Sequence, residues 1–190
     1  SSAPGSSMMI RKVSSGTQGR YTRVPEYMVN LQAGLKLKAR LEELGARVIM
    51  TRTTHDVDIS NAERAQMMNA AMVDCWLRIH ADGNDNPAVH GVSMLAPSRG
   101  TMNTTDAGVQ AASVELANAL LAPVIAATGA KNNGVVLRSD QTGFNWSAVP
   151  VCTIEMGYMT NEREDRLLVT GDYQNKIANA LAEGFVNYFK

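Results

Sequence analysis

Apolar and polar positions along this chain change period several times, and each change marks an element. Over residues 25–44, Leu31, Leu35, Leu41 and Leu44, with Met28 and Leu37 nearby, supply the core face of a helix. Lys36, Lys38, Arg40, Glu42 and Glu43 decorate its other side. Pro25 suits the first helical turn and Gly45 the C-terminal cap. Residues 46–51 (Ala-Arg-Val-Ile-Met-Thr) read as a strand, and residues 61–72 as a helix with Ser60 as N-cap and Glu63 in the capping-box position. The run 75–79 is mostly apolar, as a buried strand should be, and ends on His80; the turn Asp82-Gly83-Asn84 follows. After a loop at 81–90 come a short strand (91–96), a polar linker (97–105) and a long alanine-rich helix (106–128), which Pro123 should bend or end. A short strand at 134–138 leads to a loop, 139–148, carrying Phe144 and Trp146. The strongly apolar strand 149–155 ends on Glu155, and helices at 161–168 and 172–189 close the chain.

This alternation predicts an α/β fold: a three-layer domain with a mostly parallel, twisted sheet flanked by helices. Residues 1–24, rich in Ser, Gly and basic side chains, form a loop or arm, and residues 25–190 one domain. Helix, glycine and strand over 25–51 make the second half of a βαβ unit. Its first strand would precede Ser1. The chain opens without Met in loop-like residues, so it reads as a processed or truncated product.

Composition narrows the partners. The chain has 190 residues, 45% of them hydrophobic and 19% charged, with zero formal net charge, as expected of an ordinary soluble domain. A nucleic-acid partner is excluded on electrostatic grounds. No apolar run of membrane-spanning length and no signal peptide is expected. Cys75 and Cys152 lie in apolar strand-like runs and read as buried thiols, with a disulfide as the alternative.

Three ionisable residues fall at element ends. Glu26 opens the first helix, where the macrodipole alone favours an acid. His80 closes one strand, as a hydrogen-bonded structural residue or as a ligand. Glu155 closes another, where a carboxylate must be paired, metal-bound or shifted in pKa. Strand C-termini and the helix N-termini that follow them share one sheet edge, where open α/β sheets place their ligand crevices. Together the three suggest a His/Glu zinc site with a second Glu as general base.

The same residues carry a family resemblance. Glu26-Tyr27-Met28-Val29-Asn30-Leu31 resembles the Glu-x-x-x-Asn-Leu helix start of the zinc-dependent N-acetylmuramoyl-L-alanine amidases, bacterial cell-wall hydrolases. Val48-Ile49-Met50-Thr51-Arg52 is similar to their strand ending in Thr-Arg, and Glu63-Arg64-Ala65 with Asn69 to their next helix. Arg78-Ile79-His80-Ala81-Asp82 stands where the family has Ser-Ile-His-Ala-Asn. Ile154-Glu155-Met156-Gly157-Tyr158-Met159-Thr160-Asn161 stands for Val-Glu-Leu-Gly-Phe-Leu-Ser-Asn. The match runs in family order from about residue 24 to the C-terminus.

The resemblance implies Glu26 and His80 as zinc ligands and Glu155 as the catalytic glutamate. It implies hydrolysis of the amide between N-acetylmuramic acid and L-alanine of the stem peptide. Peptidoglycan is then the partner, one zinc ion the cofactor, and the location extracellular or at the cell wall, for a monomer. Arg138 and the 139–148 loop lie where substrate could be gripped, whereas Arg64 and Asn69 read as structural. One departure is implied too: the family's third ligand is a histidine on a first strand ending Asp-Pro-Gly-His, ahead of this chain. His55 and His90 are poor replacements. The lost strand should leave an unpaired sheet edge or a gap. A metal-free module that binds cell-wall glycopeptide without cutting it is therefore the alternative.

Overall fold

The structure, a computed structural model, describes residues 1–13, 15–98 and 106–190; residues 99–105 of the expected linker lie outside them. Helix α1 (Glu26–Glu43) starts after extended Pro25, which serves as N-cap rather than sitting in the first turn. Gly45, at φ +89°, ends it by donating its N–H to Glu42 O at 3.0 Å. Its buried stripe is Glu26, Val29, Ala33 and Leu37, joined by Leu31 and Gly34. Leu35 and Leu44, expected in the core, are exposed. The stripe drawn by Val29, Ala33 and Leu37 at i, i+4 spacing is the one that meets its neighbours, and those two leucines lie off it.

The expected strand at 46–51 does not form. Ala46 N–H turns back to Leu41 O, and no ladder follows. The reason lies beside it. Residues 46–52 line a groove of about 1440 Å³ whose other walls include α1 and residues 74–80, so a strand-like sequence has no strand to pair with.

Helix α2 (Asn61–Ala70) carries the expected capping box, Glu63 N–H to Ser60 Oγ at 3.2 Å and Ser60 N–H to Glu63 Oε2 at 2.7 Å. Then come β1 (Trp76–Asp82), β2 (Val92–Pro97), α3 (Ala107–Thr128), β3 (Asn132–Arg138) and the single turn α4 (Thr142–Asn145). Strand β4 (Val151–Tyr158) and helices α5 (Glu162–Leu168) and α6 (Gly171–Tyr188) complete the chain. Pro123 does not end α3, which continues to Thr128. Buried Leu120, Leu121 and Val124 pack on both sides of it and hold the helix through the missing hydrogen bond.

The sheet runs β1-β4-β2-β3, with β1·β4 and β2·β3 parallel and β2·β4 antiparallel. It is the expected three-layer α/β fold. One face buries Val92, Met94, Ala96, Cys152, Ile154 and Met156 against α1, α3 and α6. The other packs Trp76, Leu95 and Val151 against Ala65 and Met68 of α2 and Phe144 of α4. By length and composition alone α3 could cross a membrane, contrary to the expectation that no run is long enough. Its apolar side is instead shared with α6 and the sheet. Cys75 and Cys152 are both free thiols.

Ile154 is fully buried, flanked on the sheet by Ile79 and Met94. Ile154→Ala should lower stability by about 3 kcal/mol, whereas Val136→Ala on exposed β3 should cost less than about 1 kcal/mol. Urea denaturation of the two variants checks the contrast; equal losses would mean the core is not centred here.

Candidate active site

The second sheet face changes character along its length. On β1 the side chains run Trp76, Arg78, His80; on β4, beside them, Val151, Thr153, Glu155. On antiparallel β2, Leu95 opposes Thr153 and Ser93 opposes Glu155. Apolar residues thus give way to polar and then to ionisable ones toward the C-terminal ends of β1 and β4. Glu155, expected to end its strand, lies inside β4, which continues to Tyr158. His80 and Glu155 are partners in register on adjacent strands, whose backbones lie about 4.8 Å apart.

Glu26 joins them from the start of α1. His80 Nδ1 lies 2.9 Å from Glu26 Oε1, which also accepts from Asn30 Nδ2 at 2.9 Å. The other oxygen, Oε2, accepts from Thr17 N–H at 2.8 Å. Gly16, at φ +71°, passes so close to Glu26 that a Cβ there would strike the carboxylate. Asn30 Oδ1 is buried without a hydrogen-bond partner among the described residues and lines the open groove with Glu26 and His80.

Burial opposes ionisation of Glu26, but the hydrogen bond and charge of His80, with the Asn30 and Thr17 donors, outweigh it and bring the carboxyl down to about 2. Burial lowers the His80 pKa despite its bond to Glu26, so the ring is neutral at pH 7. A neutral ring donating Nδ1–H to Glu26 keeps its lone pair on Nε2. Glu155 goes the other way. Burial first, then the charges of Asp82 and Glu26, push its carboxyl up to about 8 against the pull of Arg78 and Arg138. Two nearby carboxyls with pKa values driven this far apart are suited to different tasks.

The other expected residues fall outside this trio. Arg138 ends β3 and is bound through Nε and Nη2 to Asp140 at 2.8 and 2.6 Å. Arg64 donates to Thr51 Oγ1, and Asn69 bridges Trp146 O and Ala148 N–H. His55 packs on Tyr27 and His90 bonds to Ala88 O, so neither joins Glu26 and His80.

Residues that sequence patterns did not single out anchor the site. Asp165, fully buried, accepts from Tyr21 N–H, Thr22 N–H and Thr22 Oγ1 and ties down the segment that delivers Glu26. Glu164 accepts from Gly91 N–H and Tyr158 N–H, holding the ends of β2 and β4. In sequence both sit in the acidic first turn of α5, indistinguishable from ordinary dipole partners. Ser93 had a signal: it is the polar residue in an otherwise apolar, fully buried strand.

An α/β domain with a carboxylate–imidazole pair and a protonatable glutamate at one sheet edge is the framework of a hydrolase. The chain belongs to the N-acetylmuramoyl-L-alanine amidase family, whose pattern matches residues 11–187. It is 30% identical over 171 residues to the N-acetylmuramoyl-L-alanine amidase Rv3717 of Mycobacterium tuberculosis, covering 86% of this chain and 68% of that protein. It is 27% identical to AmiA of Escherichia coli, covering 93% and 72%. The apo crystal structure of the amidase Ami1 from Mycobacterium abscessus superposes with a TM-score of 0.85 at 26% identity, covering 94% of this chain and 84% of that one. These relatives are peptidoglycan hydrolases.

The two carboxyls should leave opposite marks on stability. Glu155 has its pKa raised from 4.5 to about 8, so its contribution is full below about pH 4.5 and is lost as pH rises through about 8. Glu26, lowered from 4.5 to about 2, contributes above about pH 4.5 and loses that contribution as pH falls through about 2. With divalent cations chelated, Glu155→Gln should exceed the parent's stability by about 2 kcal/mol near pH 9 and match it near pH 5. Urea unfolding at both pH values measures this; an unchanged pH dependence would mean Glu155 is not buried as described.

Proposed function

We propose that the chain is a zinc-dependent N-acetylmuramoyl-L-alanine amidase that acts as a monomer, outside the cytoplasm, on peptidoglycan. The observation that carries the reading is the 2.9 Å approach of Glu26 and His80 with Glu155 in register beside His80. Glu26 and His80 fit a zinc ion in chemistry: an ionised carboxylate and a neutral imidazole, converging from two elements. They are two donors, and no cluster of three potential ligands occurs among the described residues. Asn30 Oδ1, without a partner among the described residues, lies beside this pair in the groove.

When bound, zinc supplies Lewis-acid polarisation of the scissile amide. The chain's own residues do the rest. Asn30 and Thr17 hold the Glu26 carboxylate, and Glu26 orients the His80 ring. Glu155 takes the proton of the attacking water and returns it to the leaving amine of L-alanine, general base and then general acid. Asp82 and Glu26 keep its proton affinity high enough for that return, while Arg78 and Arg138 limit the rise. Arg138 with its Asp140 partner flanks the crevice as the substrate-binding arginine.

The scarcity of donors favours a second reading, a module that binds wall glycopeptide without cutting it. Zinc titration of the chain by calorimetry, with hydrolysis of a soluble muropeptide in added zinc, separates the two. The amidase reading expects Glu26→Gln and His80→Ala to weaken zinc binding by at least about tenfold. It expects Glu155→Gln to keep the metal and lose about 10³-fold in kcat/KM. Muropeptide binding with neither zinc uptake nor cleavage would establish the second reading.

A further inference from the structure

The crevice onto which Glu26, His80 and Glu155 open carries one sign of charge. It encloses about 670 Å³, and its lining includes four carboxyls, those of Glu26, Asp82, Asp85 and Glu155. Among the described residues no lysine or arginine lines it. The cations beside it are engaged elsewhere: Arg78 by Gln141, Thr153 and the Phe144 ring, Arg138 by Asp140.

The four acids differ in what already meets them. Glu26 has its donors from Asn30 and Thr17 and its contact with His80. Glu155 has burial and neighbouring charges around it, and no hydrogen bond from a described residue. Asp82, half-buried, stands two residues beyond His80 on the same face of β1. The irregularity in register there leaves β1 even, since His80 pairs with Glu155 and Asp82 with Tyr158, so the extra residue belongs to β4. Asp82 Oδ1 accepts from Gly83 N–H at 2.7 Å. Of the charges that bear on Glu155, that of Asp82 weighs most, ahead of Glu26, and exposed Asp85 is not among them.

Hydrolysis of the amide brings a new charge into this crevice. Water adds across a neutral C–N bond: the hydroxyl goes to the acyl carbon, and the nitrogen leaves with two hydrogens as a primary amine. At neutral pH the acid so formed gives up its proton, and the amine, now an α-amino group, takes one up. The amine forms where Glu155 hands over its proton, so the ammonium arises beside Asp82 in a crevice of opposite charge. The lactyl carboxylate of the other product has the same sign as the lining and gains nothing from it. The family motif has asparagine at this position, with the same shape and no charge.

We propose that Asp82 holds the ammonium of the released stem peptide, which makes this crevice a binding site for a peptide N-terminus. The proposal rests on the amidase reading, because that reading places the nascent amine at Glu155.

The test is calorimetry at pH 6.5 with divalent cations chelated, so that side chains alone meet the amine. L-Alanyl-D-isoglutamine is compared with propanoyl-D-isoglutamine, which lacks only the amine. The parent chain should bind the dipeptide about tenfold more tightly than the analogue. In Asp82→Asn, which can still accept from Gly83, that ratio should fall to within about twofold; in Asp85→Asn it should stay near the parent's. Asp82→Asn also lets Glu155 ionise more readily, and that by itself would tighten the hold on an ammonium. A loss therefore cannot arise through Glu155. Equal binding of the two peptides by the parent, or no binding of either, would overturn the proposal. So would an unchanged ratio in Asp82→Asn, or an equal loss in Asp85→Asn, which would make the effect one of general acidity. Cleavage of a soluble muropeptide in added zinc is scored separately. Its failure would strike the amidase reading, while the calorimetric ratios still decide the role of Asp82.

Discussion

One short contact between a carboxylate and an imidazole governs the arrangement of everything near it. Glu26 and His80, far apart in sequence, meet at 2.9 Å at the end of a sheet. A buried carboxylate without donors would take up a proton instead of remaining charged. Here Asn30 Nδ2, the Thr17 N–H and the ring meet it from three directions, so it stays ionised. The close passage of Gly16 and the binding of Tyr21 and Thr22 by Asp165 follow from the same need, since both fix the segment that carries Thr17 and leads into α1.

The sheet face below solves a second problem, how to bury ionisable groups on an otherwise apolar layer. It does so by grading polarity. Trp76, Val151 and Leu95 meet Phe144 and α2 at one end; Arg78 and Thr153 form a polar middle; His80 and Glu155 open onto the crevice, with buried Ser93 opposite Glu155. The buried arginine is tolerable because its donors reach Gln141 and Thr153, while burial still brings its pKa down to about 10. Its positive charge also tempers the neighbouring Glu155, which would otherwise hold its proton more tightly.

The β1 edge of the sheet shows the limits of local preference. Residues 46–51 have strand composition, yet they line a groove instead of joining a ladder. Strand formation needs a partner's N–H and C=O groups, and across the groove the edge of β1 is not within pairing reach. Pro123 makes the converse point. Its local tendency to end a helix is overridden because Leu120, Leu121 and Val124 on either side are sealed in the core.

What the sequence determined by itself was whatever depends on near neighbours and repeated spacing. The α1 span, the Ser60–Glu63 box, the order of the elements that form, Glu26 at the start of α1 and the strand positions of His80 and Glu155 were all legible. Each follows from periodicity, caps or motif order along the chain. The resemblance added an expectation of the chemistry at those residues. Only the tertiary structure decided which leucines of α1 face the core, that β4 runs on past Glu155, and that Arg78 clasps Gln141 and Phe144. It alone distinguished Glu164 and Asp165, which anchor loops, from the acids beside them in the same helical turn. Those outcomes depend on partners more than 60 residues away in most cases (Arg78 to Gln141 is 63, Asp165 to Tyr21 is 144), and sequence spacing carries no record of such distances. The opposite pKa shifts of Glu26 and Glu155 have the same origin: two identical side chains diverge because one is met by donors and the other by burial and like charge.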